Sequence, residues 1–307
     1  MIITVTMNPA IDKTVDIERM ERGGLNRIQH VELDAGGKGI NVSKTIRALG
    51  GNSLATGFLG GNSGAVIEGV LKAWEIPADF VHVNGETRTN LKVVEKLGEV
   101  TELNEPGPEV STEQVEELLA KLESYADRET LFVLSGSIPK GVDKNIYGVI
   151  TERVHAKGSR VLMDADGELF VQALKSNPDM IKPNRAELEA YYKVDYVASE
   201  EELERMGRKL LETGTELAAI SMGKQGAMFL TKDQSIFCPG LSVKAHSTVG
   251  AGDAMVAALA YSWDVKSSLE DTIRLCMAAS AGAVTTIGTK PPSRELVDEL
   301  ISQVKFV

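Results

Sequence analysis

Residues 247–260 read Ser-Thr-Val-Gly-Ala-Gly-Asp-Ala-Met-Val-Ala-Ala-Leu-Ala. The part that follows Asp253 is apolar on every side, which predicts a buried central helix. The first turn of such a helix has unpaired N–H groups and the positive end of the helix dipole, and Gly250 and Gly252 let a phosphate approach them. Asp253 has two interpretations at this point, because a carboxylate at a helix start can act on a ligand or can simply cap the helix.

The chain around this segment alternates short β-rich runs with helical patterns. Strands are predicted at residues 2–6, 53–58, 131–134, 161–163 and 218–221. Helices are predicted at residues 43–49, 66–74, 112–125, 146–156, 187–192 and 200–211. This order predicts one α/β domain over residues 1–307, with a mainly parallel central sheet and helices on both of its faces.

A second, smaller sheet is predicted from segments in which polar and apolar residues alternate. The segments with this pattern are residues 14–17, 27–33, 88–95 and 99–103. Alternation is typical of strands that have one face in water. We therefore expect these strands to form a small sheet outside the main core.

The composition of the chain excludes several classes of protein. Its 307 residues suffice for a full hydrophobic core, and its formal net charge of −11 argues against a nucleic-acid partner, which would need an excess of Lys and Arg. Cys238 and Cys276 lie in no Cys/His cluster, which indicates neither a disulfide framework nor a zinc site. The sequence has no signal-peptide pattern and no membrane-spanning run, so we expect a cytoplasmic protein without a membrane partner.

Two common nucleotide-binding motifs do not fit the sequence. The Gly-Lys pairs that begin at Gly37 and Gly223 are followed by Gly39 and Gln225, whereas a P-loop needs Ser or Thr there. The first predicted strand ends in Met-Asn-Pro at residues 7–9, which removes the usual dinucleotide-binding turn. The turn at residues 247–253 is therefore the strongest candidate for a phosphate site.

Residues 247–253 resemble the C-terminal signature of the PfkB or ribokinase family of carbohydrate kinases. Residues 36–43, Gly-Gly-Lys-Gly-Ile-Asn-Val-Ser, resemble its N-terminal signature. Shorter matches follow the family order at residues 8–12, 87–90, 135–139, 182–187 and 221–226. The resemblance covers nearly the whole chain and implies a ribokinase-like fold, in which strands from about 12–33 and 88–103 form a β-sheet lid over the sugar.

The resemblance implies phosphoryl transfer from ATP, which needs a base, a cradle for the phosphate and Mg²⁺. Asp253 resembles the base that accepts the proton of the sugar hydroxyl, and residues Gly250, Ala251 and Gly252 resemble the anion hole. Asn184 and Glu187 resemble the element that organises Mg²⁺ through water, although alone they would be interpreted as a capping box. The other residues implied on the nucleotide side are Lys182, Ser221, Gly223, Gly226, Ser247, Thr248 and Val249.

The residues implied on the sugar side are Asp12, Gly36, Gly37, Lys38, Asn41, Arg88, Asn90 and Ser137. Arg88 resembles the arginine with which the phosphosugar branch grips the phosphate already on the substrate, and Lys38 is expected to help it. Taken alone, Arg88 would be interpreted as a solvated strand charge and Asp12 as a turn residue. Residues 164–167, Asp-Ala-Asp-Gly, depart from the family pattern, which commonly has hydroxyl side chains there.

Residues 98–107, Gly-Glu-Val-Thr-Glu-Leu-Asn-Glu-Pro-Gly, most resemble the branch that phosphorylates D-fructose 1-phosphate at its C6 hydroxyl, giving D-fructose 1,6-bisphosphate and ADP. Tagatose 6-phosphate and fructose 6-phosphate are alternative substrates, because the two ends of a ketohexofuranose ring are alike. A catalytically silent sensor of nucleotide or sugar phosphate is an alternative from a different class, which the intact Asp253 opposes. The exposed edges of the lid suggest pairing with a second copy of the chain.

Overall fold

The computed structural model describes residues 1–306, in which the strands form a nine-stranded and a four-stranded sheet. The strands are β1 (Ile2–Thr6), β2 (Ala10–Ile17), β3 (His30–Gly36), β4 (Leu54–Leu59), β5 (Val81–His82), β6 (Arg88–Glu95), β7 (Val100–Asn104), β8 (Leu131–Ser135), β9 (Arg160–Asp164), β10 (Met180–Ile181), β11 (Leu217–Ser221), β12 (Gly226–Thr231) and β13 (Ser235–Pro239). The α-helices are α1 (Lys38–Ala48), α2 (Gly61–Ala73), α3 (Thr112–Tyr125), α4 (Ile146–His155), α5 (Gly167–Ala173), α6 (Arg185–Tyr191), α7 (Glu200–Leu211), α8 (Ala251–Asp264), α9 (Leu269–Ala283) and α10 (Arg294–Ile301).

The large sheet has the strand order β13-β12-β11-β10-β9-β8-β1-β4-β5. Its strands pair in parallel from β5 to β11, whereas β12 and β13 pair antiparallel at one edge. All five residues of β1 are buried, because helices cover both faces of the sheet. The mainly parallel sheet predicted from the sequence is confirmed, and the antiparallel edge is an addition that the sequence analysis did not predict.

Helices bury one apolar core on each face of the large sheet. On one face, α3 and α4 contribute Leu118 and Tyr147 to the core. On the other face, α1, α8 and α9 contribute Val42, Val256 and Ile273. No helix within residues 1–306 is long and apolar enough to cross a membrane.

Helix α8 is the buried central helix that the sequence predicts. Its residues 253–260 are all buried, and it packs mainly against α1 and α9. Its first turn lies at the carboxyl ends of β1 and β8, where Thr6 and Ser135 line the same cavity as Asp253. A helix that is apolar on every side thus brings its amino-terminal N–H groups to the edge of the sheet where ligands bind.

The four-stranded sheet has the order β3-β2-β6-β7 and stands outside the main core, as predicted. Strand β2 pairs antiparallel with β3 and parallel with β6. Val15, Ile17 and Val93 form a small apolar cluster of its own. We call this sheet the lid; its strands span residues 10–36 and 88–104, slightly beyond the predicted limits.

Candidate active site

A cavity of about 490 Å³ lies between the lid and the carboxyl ends of β1 and β8. Ligands of open α/β sheets bind at this edge. The cavity brings together residues that the sequence analysis placed on both sides of the reaction. Those that line it are Asp12, Gly37, Lys38, Asn41, Arg88, Asn90, Ser137, Val249, Gly250 and Asp253.

The cavity also has lining residues that the sequence analysis did not assign to a site. They are Thr6, Asn8, Lys92, Glu102, Asn104, Ser135, Gly136, Asp166 and Thr289. Asn8 and Ser135 lie inside segments that match the family, so a signal for them was present. Lys92 follows Asn90 by two residues and therefore shares its face of the strand. Thr289 comes from the loop after α9, where the sequence gives no signal.

Asp253 lies in the first turn of α8 and is only 8% exposed. Its Oδ2 accepts a hydrogen bond from Asn41 Nδ2 at 2.9 Å. Burial, followed by the charge of Asp164, raises the pKa of Asp253 to about 6, while Asn41, Lys38 and Lys182 act in the opposite direction. A carboxylate with this pKa is mostly ionised at neutral pH and is still basic enough to accept a proton from a hydroxyl group.

The turn before α8 contributes Val249 and Gly250 to the lining of the cavity, whereas Ala251 and Gly252 are not among its lining residues. Gly250 has φ +87°, a left-handed conformation that favours glycine, and caps the helix without a side-chain hydrogen bond. The N–H of Ala254 donates to the carbonyl of Gly250, so the N–H groups of Ala251 and Gly252 precede the helical ladder. These groups can bind an anion. Ser247 Oγ accepts from the N–H of Val249 at 3.2 Å and stabilises the turn.

Three asparagines leave buried amide oxygens without partners around this cavity. Asn8, Asn41 and Asn90 each donate through Nδ2, to Pro106 O, Asp253 and Asp12 respectively, which fixes their orientations. Their Oδ1 atoms have no hydrogen-bond partner within residues 1–306. A buried hydrogen-bond acceptor without a donor lowers the stability of the fold by about 1–3 kcal/mol. The contacts of Asn41 and Asn90 hold the carboxylates of Asp253 and Asp12 at the wall of the cavity.

Arg88 lies at the base of the lid. Its Nε and Nη2 donate to the carbonyl of Asn8 at 3.2 and 3.0 Å, and its Nη1 donates to the carbonyl of Glu105. Burial lowers the pKa of Arg88, and the charge of Asp12 opposes that effect. Backbone carbonyls neutralise no charge, so the guanidinium keeps its positive charge for an anionic ligand.

Gly36 and Asp12 lie on paired strands of the lid. Asn90 donates to Asp12 Oδ1 at 3.0 Å. A side chain at position 36 would overlap the Asp12 carboxylate, so the glycine leaves room for that group. Gly36 thus acts on the site through Asp12, whereas Gly37 lines the cavity directly.

Two lysines meet at one buried carboxylate beside Asp253. Asp164, the last residue of β9, lies 3.1 Å from Lys182 Nζ and 3.3 Å from Lys38 Nζ. Burial would raise the pKa of Asp164, but Lys182 and Lys38 outweigh it and lower the pKa. The ammonium of Lys38 therefore lies beside Asp164, and Lys38 lines the same cavity as Asp253.

Asn184 and Glu187 form the capping box of α6. Glu187 N donates to Asn184 Oδ1 at 2.9 Å, and Asn184 N donates to Glu187 Oε2 at 2.8 Å. Burial raises the pKa of Glu187. Both residues line a separate cavity of about 370 Å³ with Asp166 and Tyr191. The capping interpretation is thus confirmed, and it leaves further lone pairs of the Glu187 carboxylate for a ligand.

Oxygen donors of this kind suit Mg²⁺, which keeps several waters and binds substrate phosphates. Within residues 1–306, no group of three His, Cys, Asp or Glu side chains could enclose a metal ion. Asn184 and Glu187 therefore fit a cation that is held mainly by phosphate oxygens and water, rather than one held in a cage of protein ligands.

The turn at residues 221–226 lies beside Asn184. Ser221 N donates to the carbonyl of Pro183 at 3.0 Å, and Ser221 forms a parallel bridge with Asn184. Gly223 has φ +57° and open space around it. Gly226 is different, because a side chain there would overlap the carbonyl of Cys238 on β13. The strand pairing alone therefore explains that glycine.

The sequence matches the profile of the pfkB family carbohydrate kinases over residues 5–296. A 1-phosphofructokinase of Bacillus subtilis is 34% identical over 99% of both chains. A D-tagatose-1-phosphate kinase of Bacillus licheniformis is 32% identical over 100% of this chain and 99% of its own. Among solved structures, phosphofructokinase-2 of Escherichia coli has a TM-score of 0.93 at 28% identity and 98% coverage of both chains.

The fold and the family match define this protein as a sugar-phosphate kinase, a phosphotransferase with an alcohol group as acceptor. The chain belongs to the pfkB family of carbohydrate kinases. Its architecture is the ribokinase-like fold that the motifs implied. The kinase class implies ATP as the phosphate donor and a small phosphosugar as the acceptor.

Proposed function

We propose that this protein transfers the γ-phosphoryl group of Mg-ATP to the C6 hydroxyl of D-fructose 1-phosphate. The products are D-fructose 1,6-bisphosphate and ADP. The observation that carries the proposal is one cavity that holds the Asp253 carboxylate, the turn at Gly250 and the cationic Arg88. The 1-phosphofructokinase of Bacillus subtilis, which is similar over its whole length, supports this choice of sugar.

Asp253 is the proposed general base. It takes the proton of the C6 hydroxyl as the hydroxyl oxygen attacks the γ-phosphorus, and the bond to the bridging oxygen of ADP breaks. The N–H groups of Ala251 and Gly252 stabilise the negative charge of the transferring group. Asn184 and Glu187 would hold Mg²⁺ through water, and the ion would neutralise charge on the phosphates.

The other residues that we assign to ATP lie outside the group that binds the sugar. Lys182 and Ser221 are assigned to the nucleotide, and no atom lies within 4 Å of the point where a side chain of Gly223 would begin, so a phosphate can approach its backbone. Thr248 and Val249 are exposed beside the Gly250 turn and are assigned to the nucleotide as well. Gly226 supports this region through the β12–β13 pairing, and Ser247 supports it through its contact with Val249.

Arg88 is the proposed site for the phosphate that the sugar already carries. Its guanidinium forms a fork that suits a phosphate group, and Asn8 and Glu105 carbonyls hold it in place. Lys92 lies on the same strand, facing the cavity. Asp12, Asn41, Asn90 and Ser137 are left to bind ring hydroxyls. Lys38, which the sequence analysis placed beside Arg88, is better suited to the other end of the sugar because it contacts Asp164.

Tagatose phosphates are the second candidate substrates, supported by the similar D-tagatose-1-phosphate kinase. Tagatose and fructose differ in the configuration of one ring hydroxyl. A hydroxyl that leaves one buried acceptor unpaired costs about 1–3 kcal/mol, or roughly 5- to 150-fold in kcat/KM. The polar side chains that line the cavity, among them Asp12, Asn41 and Asn90, are the proposed source of this difference.

The decisive experiment compares kcat/KM for four sugars with Mg-ATP. They are D-fructose 1-phosphate, D-tagatose 1-phosphate, D-tagatose 6-phosphate and D-fructose 6-phosphate. We expect fructose 1-phosphate to have the highest value. A clear preference for a 6-phosphate would overturn the sugar assignment and leave the kinase assignment intact, whereas binding without turnover of any sugar would favour a silent sensor.

The lid supplies a proposal for the quaternary structure. Val31, Leu33 and Leu103 are all exposed, and the strand registers place them on the face opposite Asp12 and Asn90. We propose that this face pairs with a second copy of the chain in the cytoplasm, and that residues 1–307 act as one kinase domain. Sedimentation of the parent and of Leu33→Glu tests the pairing: we expect a dimer and a monomer, and a monomeric parent would refute it.

A further inference from the structure

Asp164 is a buried carboxylate with an unusual set of partners. It is 2% exposed at the carboxyl end of β9, in the centre of the large sheet. Its two oxygens approach two lysine ammonium groups, Lys182 at 3.1 Å and Lys38 at 3.3 Å. Neither oxygen accepts a well-aligned hydrogen bond within residues 1–306. Its contacts are therefore ionic, with one lysine on each oxygen.

Asp179 shows how this protein builds a structural carboxylate. It accepts hydrogen bonds from the N–H of Val161 and from Arg160, and it contacts His155 at 2.8 Å. These partners satisfy both of its oxygens at the amino ends of the strands. Asp164 lacks a backbone donor of that kind, and both of its contacts are with lysine side chains that lie near Asp253.

The two lysines contact different oxygens of Asp164 and both lie near Asp253. Lys182 is 5% exposed, and its Nζ lies 3.5 Å from the point where a side chain of Gly252 would begin. Lys38 begins α1, packs over Gly136, and is close enough to Asp253 for their charges to interact. Two ammonium groups this near each other repel, and one carboxylate between them removes most of that repulsion.

We infer that Asp164 is a positioning residue that holds Lys38 and Lys182 on either side of the path of the transferring phosphoryl group. Lys38, Lys182 and Asp164 together carry a net positive charge of one, which the adjacent Asp253 carboxylate offsets until it takes up the proton of the hydroxyl group. Because the charges are fixed in a buried site before the reaction, they stabilise the transition state without reorganisation. This role rests on the proposed kinase reaction at Asp253 and does not depend on which sugar phosphate is bound.

The first test is Asp164→Asn, which keeps the shape and removes the charge. We expect kcat to fall about 10- to 100-fold, somewhat less than the loss of a direct oxyanion donor, while KM for the sugar changes less than about threefold. The parent enzyme is assayed beside it with whichever sugar phosphate it prefers. A parent that turns over no sugar refutes the proposed function, whereas an active parent with an unchanged Asp164→Asn refutes only this inference.

The pH dependence of kcat/KM on its acidic side distinguishes a positioning role of Asp164 from a purely structural one. The groups that face Asp253 are Asn41, Asp164, Lys38 and Lys182, and the charge of Asp164 raises the pKa of Asp253, whereas Lys38 lowers it. Asp164→Asn should therefore move the acidic limb to lower pH, and Lys38→Met should move it to higher pH. Shifts in the same direction, or none, would contradict the inference.

A double-mutant cycle gives the last arm of the test. If Asp164 acts through Lys38, then Asp164→Asn should reduce kcat by a smaller factor in a Lys38→Met background than in the parent. Asp179→Asn is the matched control for the loss of a buried carboxylate, and its kcat should stay within about twofold of the parent. If Asp164→Asn does not fold, the kinetics of Lys38→Met test the inference by themselves. A lower kcat with unchanged KM for the sugar supports a role of Lys38 in phosphoryl transfer. A higher KM for the sugar with unchanged kcat would refute that role.

Discussion

Asp253 and Asp179 are two buried carboxylates at opposite ends of the large sheet, each 8% exposed. Asp253, at the carboxyl ends of the strands, accepts one hydrogen bond within residues 1–306, from Asn41. Asp179, at the amino ends, accepts from Val161 N–H and Arg160 and contacts His155. Asp179 is therefore held by hydrogen bonds to both of its carboxylate oxygens, whereas Asp253 is held through Oδ2 alone.

The pKa values of the two carboxylates move in opposite directions. Burial raises the pKa of Asp253 to about 6. Burial acts on Asp179 in the same sense, but hydrogen bonds from His155, Arg160 and the Val161 N–H outweigh it and lower the pKa. Two carboxylates with the same exposed fraction thus differ in acidity: Asp253 is desolvated and lies near the charge of Asp164, whereas Asp179 has hydrogen bonds from His155, Arg160 and the Val161 N–H.

The largest expected effect is on turnover at the carboxyl ends. Asp253→Asn removes the proposed base and should lower kcat by about 10²- to 10⁴-fold. Steady-state kinetics with Mg-ATP and fructose 1-phosphate measure the loss. Asp179→Asn, assayed in parallel, should retain the parent value. A loss of less than about tenfold for Asp253→Asn would mean that another group accepts the proton, since a positioned base contributes more than that.

The next effect concerns the lid side of the cavity. Arg88→Met should lower kcat/KM for fructose 1-phosphate by about 10- to 100-fold, because a charge-assisted contact to phosphate is worth about 1.5–3 kcal/mol. The loss should appear mainly in KM for the sugar, with KM for ATP unchanged. Arg88→Lys is the matched control, since it keeps the charge without the fork and should recover part of the loss. An increase confined to KM for ATP would place Arg88 on the nucleotide instead.

Local sequence patterns predicted the parts of this comparison that depend on neighbouring residues. The apolar run after Asp253 predicted α8, and the spacing of Asn184 and Glu187 predicted the capping box. Alternation predicted the lid, and helix α3 was predicted at its observed limits, where Ser111 supplies a second capping box. Each of these features is fixed by side chains within about one helical turn or one strand.

Other features depend on contacts between distant residues, and the sequence could not show them. The apolar run of β12 has no periodicity that separates it from a buried helix, and its partner β13 pairs at an edge. Lys38 belongs to a glycine-rich motif, and the sequence analysis expected it to help Arg88 at the sugar phosphate. In the fold its ammonium lies 3.3 Å from Asp164, a residue more than a hundred positions away. The motif identified the residue, but this contact could not be predicted from it.

A third expected effect is a gain in stability at the carboxyl ends. Ionised Asp253 is disfavoured in the folded state, because burial raises its pKa to about 6 from 3.8. Ionisation therefore costs folding free energy as pH rises from 4 to 6, and this cost stays constant above pH 6. Asp253→Asn should be more stable than the parent by about 2 kcal/mol at pH 8 and should lose that advantage near pH 4. Urea unfolding at several pH values measures it, and an inactive variant that is less stable at pH 8 would contradict this account.

The smallest expected effect has the opposite sign and lies at the amino ends. Because the folded-state pKa of Asp179 lies below its ordinary value, its ionised form stabilises the fold above about pH 4 and this contribution disappears as pH falls through the folded-state pKa. Asp179→Asn should thus lower the free energy of unfolding by about 1.5 kcal/mol at pH 7.5, the lower end of the range for a hydrogen bond to a charged group, and by less near pH 3.5. The same urea series measures this, with kcat unchanged. An equal loss at both pH values would mean that the shape of the side chain, rather than its charge, holds Arg160 and Val161 together.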